Sequence, residues 1–233
     1  HTLLPYYEPF LSAEKARYAR EMMHSNHPIG LKLSLGITAA GFEKFRVRRY
    51  CPRCIAVDFH EFGVAYWHLS HQASGVHICA KHHCYLHQVL PEPGVGDFNQ
   101  LFLPNQTVGH GHLDAVQPFP HEYFGRLAQL ADLIEWGRRS PYCIARLLGN
   151  DYLHFVTNRA GYIFRGRVCS KKLEEHFRYR SSFYPEIYEF RRVFELHQGK
   201  LFWPSSLLRT RPSSHHPILF YMFTESASLS VSG

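Results

Sequence analysis

The chain has 233 residues, 45% of them hydrophobic and 15% aromatic, with 26 Lys+Arg against 19 Asp+Glu and a formal charge of +7. That length supports one large domain or two small ones, each with a buried core. The apolar content excludes a wholly disordered chain, and 16 Gly with 14 Pro exclude a collagen-like one. No uncharged apolar run approaches the roughly 20 residues of a membrane-spanning helix, so no membrane partner is expected. The first residue is His1 rather than Met, with no basic-then-apolar leader, so the chain is expected to be the inner portion of a longer protein.

Residues 12–25 read as a helix, with Ser12 as N-cap and Ala13, Ala16, Ala19, Met22 and Met23 near one face. His27-Pro28 interrupts it, and a second helix is expected from Pro28 towards Ala40, closed by Gly41. The run Phe45–Tyr50 is basic and extended. It leads into Cys51-Pro52-Arg53-Cys54, and after 24 residues a second knuckle follows, Cys79-Ala80-Lys81-His82.

Two residues between ligands let a tight turn aim both side chains at one ion, and two such turns complete a tetrahedron. Cys51, Cys54, Cys79 and His82 are therefore the expected ligands of one structural Zn2+, a closed Cys3His set with no open position. His83 and Cys84 stand beside the fourth ligand as rivals for its place, with Cys84 read as a small packed residue. Trp67 is expected to pack over the metal site. Cys143 and Cys169 stand alone and read as buried thiols. A zinc hydrolase needs an open metal position and a carboxylate base, whereas the inferred set is closed and Asp58 and Glu61 read as loop acids; no enzyme activity is expected.

Residues 91–120 are turn-rich and without periodicity, an irregular connection. From His121 the pattern is helical, with Tyr123, Leu127, Leu130, Leu133 and Ile134 on one stripe up to Trp136 and Gly137 as the stop. Pro141 opens a further helix ending at Gly149. Asp151 can cap a short helix carrying Leu153, Phe155 and Val156, which Ala160-Gly161-Tyr162 breaks. Ser170 then caps a helix over Lys171–Arg178 with Leu173 and Phe177 inward. Helix, glycine-containing turn and polar-faced helix is the outline of a helix-turn-helix, with a connection longer than the tight form. Pro185 is expected to start another helix, the aromatic block 201–220 to dock on this unit, and Ser226–Gly233 to fray.

The charge is not spread evenly. Residues 1–158 hold 14 basic and 13 acidic residues, residues 159–211 hold 12 and 5, and residues 212–233 only Glu225. The excess therefore lies in one C-terminal stretch, the footprint expected of phosphate-backbone binding. In that stretch Arg165, Arg167, Arg178 and Arg180 are the expected phosphate contacts, with Ser170, Lys171 and Lys172 at the start of the reading helix. The expected fold is mainly α with a small zinc-binding module: an N-terminal helical segment (1–44), a Cys3His finger (45–90), the connection (91–120) and a helical DNA-binding domain with a helix-turn-helix-like unit (121–233).

The order of these features resembles the TniQ/TnsD family of target-selection proteins in bacterial transposons. The resemblance rests on His1-Thr2-Leu3-Leu4-Pro5-Tyr6-Tyr7-Glu8-Pro9-Phe10, Arg49-Tyr50, both knuckles, Tyr66-Trp67, Gly75-Val76, and the closing Trp203, Leu207-Leu208-Arg209 and His216-Pro217. It is strong over 1–90 and looser from 120 onward; the opening decapeptide favours the TnsD branch. Ala80 and His83 stand where the family usually has Pro and Gly. The resemblance implies a protein of the bacterial cytoplasm, associated with the nucleoid, that binds a chosen double-stranded DNA site. It also implies recruitment of an AAA+ ATPase (TnsC-like) that brings the transposase. In RNA-guided relatives the protein is instead an adaptor in a CRISPR complex, reading little DNA itself. Neither branch cuts or joins DNA.

Overall fold

The computed structural model describes residues 2–25, 30–31, 48–89, 103–104, 119–149, 152–182, 184, 190, 194, 203–209 and 216–228. The helix expected over 28–40 apart from residues 30–31, the helix expected from Pro185 apart from residues 190 and 194, and the connection 91–120 apart from four residues lie outside them. The chain divides into two compact units, one formed by His1–Leu3 and Lys44–Glu135, the other by Leu4–Glu43 and Trp136–Gly233.

The first unit is built around a two-stranded antiparallel ribbon. Strand β1 (Arg48–Tyr50) pairs with β2 (His87–Val89) in the register Arg48↔Val89, Arg49↔Gln88 and Tyr50↔His87. Between them run α3 (Pro52–Phe62) and the single turn α4 (Leu69–Gln72). Proline at the first position and Gly63 at φ 70° beyond the last give α3 sharp ends, with Gly63 N–H closing on Phe59 O at 3.0 Å. Tyr50, Ala65, Ala73, Val76, Ile78, Leu86 and Val89 are buried. Helix α5 (His121–Arg139) contributes buried Leu127, Leu130, Ala131 and Ile134; of the expected stripe Tyr123 and Leu133 are only half-buried, and Trp136 stays exposed.

The second unit is helical. Its N-terminal part holds α1 (Leu4–Tyr7), a 3-10 turn (Glu8–Phe10) and α2 (Ala13–Met23), whose Ser12 hydroxyl accepts from Lys15 N–H at 3.3 Å. There follow α6 (Pro141–Gly149), α7 (Tyr152–Arg159), a hairpin of β3 (Ile163–Phe164) and β4 (Arg167–Val168), α8 (Ser170–Arg180), α9 (Trp203–Arg209) and α10 (Pro217–Ser228). Every residue from Ile218 to Phe223 is buried, so α10 is apolar all round and forms the centre of this unit. Tyr6 stacks on Tyr221 at 5.8 Å, Phe10 meets Phe220 at 5.5 Å, and Tyr7 Oη lies 3.4 Å from His216 Nε2. The opening decapeptide and the His216-Pro217 block, far apart in sequence, thus form one core.

Several expectations are corrected. Gly137 does not stop α5, which runs on to Arg139. It is buried, and a Cβ there would collide with the Tyr221 hydroxyl, so glycine serves close packing. Cys143 is exposed and Cys169 half-buried, because in α6 it is Ile144, one residue on, that faces inward. Cys169, not Ser170, is the N-cap of α8. Residues 226–228 do not fray: Ser226 and Ala227 are buried in the last turn of α10.

Candidate metal centre

Cys51 is the N-cap of α3 and Cys54 lies in its first turn, so the first knuckle is a helix start rather than an isolated turn. The second knuckle is a tight loop in which His83 N–H bonds Cys79 O at 2.8 Å and Cys79 N–H bonds Cys84 O at 2.9 Å. The Ile78–Tyr85 bridge closes this loop. His83 takes φ 42°, the left-handed region that explains why glycine suits this position. Helix start and loop bring together Cys51, Cys54, Cys79 and His82, whose ligand atoms all lie within 4.8 Å of one another. His82 Nδ1 is 3.4 Å from Cys51 Sγ, 3.3 Å from Cys54 Sγ and 3.7 Å from Cys79 Sγ, and the Cys54–Cys79 sulfurs are 3.7 Å apart. The three cysteines are buried, and the group could hold a metal ion.

Both rivals have other places. His83 turns away, its Nε2 lying 3.0 Å and 3.1 Å from the two Asp132 carboxylate oxygens. Cys84 Sγ approaches Cys51 Sγ at 3.4 Å but falls outside the four-atom group. Burial, and its thiol's contact with Cys51, push Cys84 up to about 12. The thiols of Cys54 and Cys79, by donating to Cys51, hold it far below the ordinary thiol range. Cys54, as a donor to Cys51 and Cys79, is pushed far up. Three sulfurs this close cannot all ionise side by side without a cation, and a cation is what the arrangement favours.

Residues that sequence reasoning passed over surround the group. Asp58 is on α3, not in a loop, and is buried with its Oδ2 2.8 Å from His68 Nε2. His71 on α4 is 3% exposed, its Nε2 3.9 Å from Cys54 Sγ. Arg49 is fully buried: its guanidinium donates to Ala73 O and Val76 O, so it braces the segment before the second knuckle. Gln72 clamps the same strand, accepting from Arg49 N–H at 3.0 Å and donating to Arg49 O at 2.6 Å. Trp67 packs under the Arg48 guanidinium, 5.4 Å from its ring centroid, and edge-on to Tyr50 at 6.4 Å. The Pro52 and Gly63 punctuation was the signal that could have revealed α3, and with it the placement of Asp58.

In the second unit the expected cationic residues fall on two adjoining elements. Arg165 and Gly166, at φ 49° and 72°, form the two-residue turn of the β3–β4 hairpin, which fills the connection between α7 and α8. Arg165 lies over the Phe164 ring at 5.3 Å, and Phe164 is 69% exposed. Arg167, Lys171 and Lys172 are exposed, Ser170 and Arg180 half-buried. Arg178 is exposed but donates to Glu174 at 2.7 Å, an i,i+4 pair. Leu173 and Phe177 face inward, Phe177 meeting Trp203 at 5.0 Å and Phe223 at 4.9 Å. Behind the hairpin, Tyr162 Oη is 2.7 Å from His176 Nδ1, and His176 Nε2 is 3.3 Å from Ser226 O.

A Cys3His group that could hold a metal ion thus lies between a two-stranded ribbon and a short helix in the first unit, consistent with a zinc-binding module. Residues 1–86 match the TniQ family model. The chain is 28% identical over 134 residues to the Transposon Tn7 transposition protein TnsD of Escherichia coli, a match covering 58% of this chain and 25% of that protein. The chain thus spans about a quarter of the length of the curated relative it matches.

Proposed function

We propose that the protein selects target sites for transposition. In this reading it binds a specific double-stranded DNA sequence and recruits an AAA+ ATPase that regulates the transposase, in the bacterial cytoplasm at the nucleoid. The observation that carries the reading is the match to the TniQ family model over residues 1–86 together with the likeness to a transposition protein. The ion is Zn2+, one per chain. A tetrahedron with Zn–S bonds of about 2.3 Å and Zn–N bonds of about 2.0 Å has S···S edges of about 3.8 Å and S···N edges of about 3.5 Å. The 3.7 Å and 3.3–3.7 Å separations of the Cys3His group agree with those edges. Four protein ligands leave no position for water, so the metal's role is to hold β1, α3 and the second knuckle together rather than to activate a nucleophile.

DNA contact is assigned to the hairpin and the start of α8. Arg165, Arg167, Arg178 and Arg180 supply phosphate contacts, which fix register without reading sequence. Ser170, Lys171 and Lys172, on the first turn of α8, supply the base-edge contacts; Lys can pair with guanine O6 and N7. The left-handed turn at Arg165-Gly166 places exposed Arg165 at the hairpin end, with exposed Arg167 opening the next strand, so both guanidinium groups are open to solvent. The functional test is selection from duplexes with a randomised centre, using zinc-loaded protein. Retained duplexes are expected to converge on one motif that is protected in a footprint. Absence of convergence, with the protein instead co-purifying with an RNA-guided effector and its guide, would replace DNA reading by an adaptor role.

A further inference from the structure

His71 has no part in the ligand set, yet it is 3% exposed and its Nε2 faces the ligand sulfurs, 3.9 Å from Cys54 Sγ. Its Nδ1 is buried without a hydrogen-bond partner among the described residues. These two facts choose the tautomer. A proton on Nδ1 would leave a buried N–H without an acceptor and set the Nε2 lone pair against a sulfur lone pair. A proton on Nε2 gives the sulfur a donor and leaves only a buried acceptor unfilled, the smaller cost. Metal-bound cysteines are thiolates and carry no proton of their own, so in the loaded protein the imidazole is the donor.

We propose that His71 is a positioning residue of the metal centre, donating its Nε2–H to the Cys54 thiolate and thereby stabilising the bound ion from outside the ligand set. The proposal rests on the metal reading given above. Three thiolates around a divalent ion leave one net negative charge on a group of buried sulfurs, and buried charge needs donors. The ring is fixed for that task. Its backbone N–H bonds His68 O at 3.1 Å, and its ring centroid lies 4.9 Å from that of the His68 ring, tilted by 31° and itself held by Asp58. The next residue, Gln72, ties α4 to β1. Cys54, His68 and His71 lie close enough to form an ion-binding group of their own. That would make Cys54 serve two ions, and His68 Nε2 is already committed to Asp58.

The test uses the whole chain with cobalt or cadmium in place of zinc. In His71→Phe, which keeps a ring but no N–H, the sulfur-to-cobalt charge-transfer bands should move to longer wavelength. The visible d–d bands should keep the positions of a tetrahedral site with three sulfur ligands and one nitrogen. Metal affinity against a competing chelator should fall roughly 10–100-fold, and His71→Gln, which restores an N–H, should recover part of it. Unchanged charge-transfer bands and affinity in His71→Phe would overturn the proposal. So would a change in the d–d bands, which would make His71 a ligand, or two ions per chain in the wild type. The wild type offers a check that needs no variant. In the cadmium-113 form the His71 Nε2 proton should couple to the metal through the hydrogen bond, and an Nδ1–H tautomer would contradict the assignment. Loss of all metal binding by the wild type would instead remove the metal reading itself.

Discussion

Cys51, Cys54, Cys79 and His82 differ from the other polar groups of the first unit in what their loss leaves behind. Cys51→Ser or His82→Ala should reduce bound zinc from about one ion per chain to a small fraction and unfold the module around residues 48–89, measured by metal analysis and near-ultraviolet circular dichroism. A well-folded, metal-free Cys51→Ser protein would contradict a structural role. Lowering the pH should release the ion in the wild type, because each thiolate must take up a proton to leave. Arg49→Met should destabilise without removing a ligand, by about 1–3 kcal/mol for the Val76 carbonyl that loses its donor, since Ala73 O keeps the Val76 N–H; denaturant unfolding reads the change. The grouping of Cys51, Cys54, Cys79 and His82 could be read from spacing alone because two short knuckles fix its geometry locally. His71, Asp58 and Arg49 could not, since each gains its meaning from a partner 10 to 27 residues away that only the folded ribbon and helix bring near.

At the scale of elements, Gly137 tests whether close packing or helix propensity dominates. Alanine in mid-helix gains up to about 1 kcal/mol in propensity. The collision with Tyr221, a buried ring stacked on Tyr6, should cost about 1–3 kcal/mol. Gly137→Ala is therefore expected to lower stability, and a rise in melting temperature would show that Tyr221 can move aside. The hairpin offers a second case: Gly166→Ala puts a side chain at φ 72° and should destabilise the turn by about 1 kcal/mol. Helix periodicity found α2, α5, α6 and α8. It missed the β3–β4 hairpin because two-residue strands are too short to show alternation. It misjudged Gly137 because a helix-stopping glycine and a packing glycine look alike until the opposing ring is in place.

Over the whole molecule, chain order and spatial grouping differ. Residues 4–43 group with 136–233, because Tyr6 and Phe10 complete the aromatic core around α10. The Cys3His group lies wholly within the other unit. The excess charge of residues 159–211 includes the hairpin tip and the exposed side of α8, where Arg165, Arg167, Lys171 and Lys172 are exposed while Leu173 and Phe177 anchor the helix inward. No described helix is long and apolar enough to cross a membrane. The claim that this cationic surface meets duplex DNA is tested most directly by equilibrium affinity across a salt series, with zinc-loaded wild type beside Lys171→Ala/Lys172→Ala. The logarithm of affinity should fall linearly with the logarithm of salt, by about 0.9 per phosphate contact, and the double variant, which loses base-edge contacts, should bind the selected duplex more weakly. Absent or salt-insensitive binding by the intact, metal-loaded protein would contradict it.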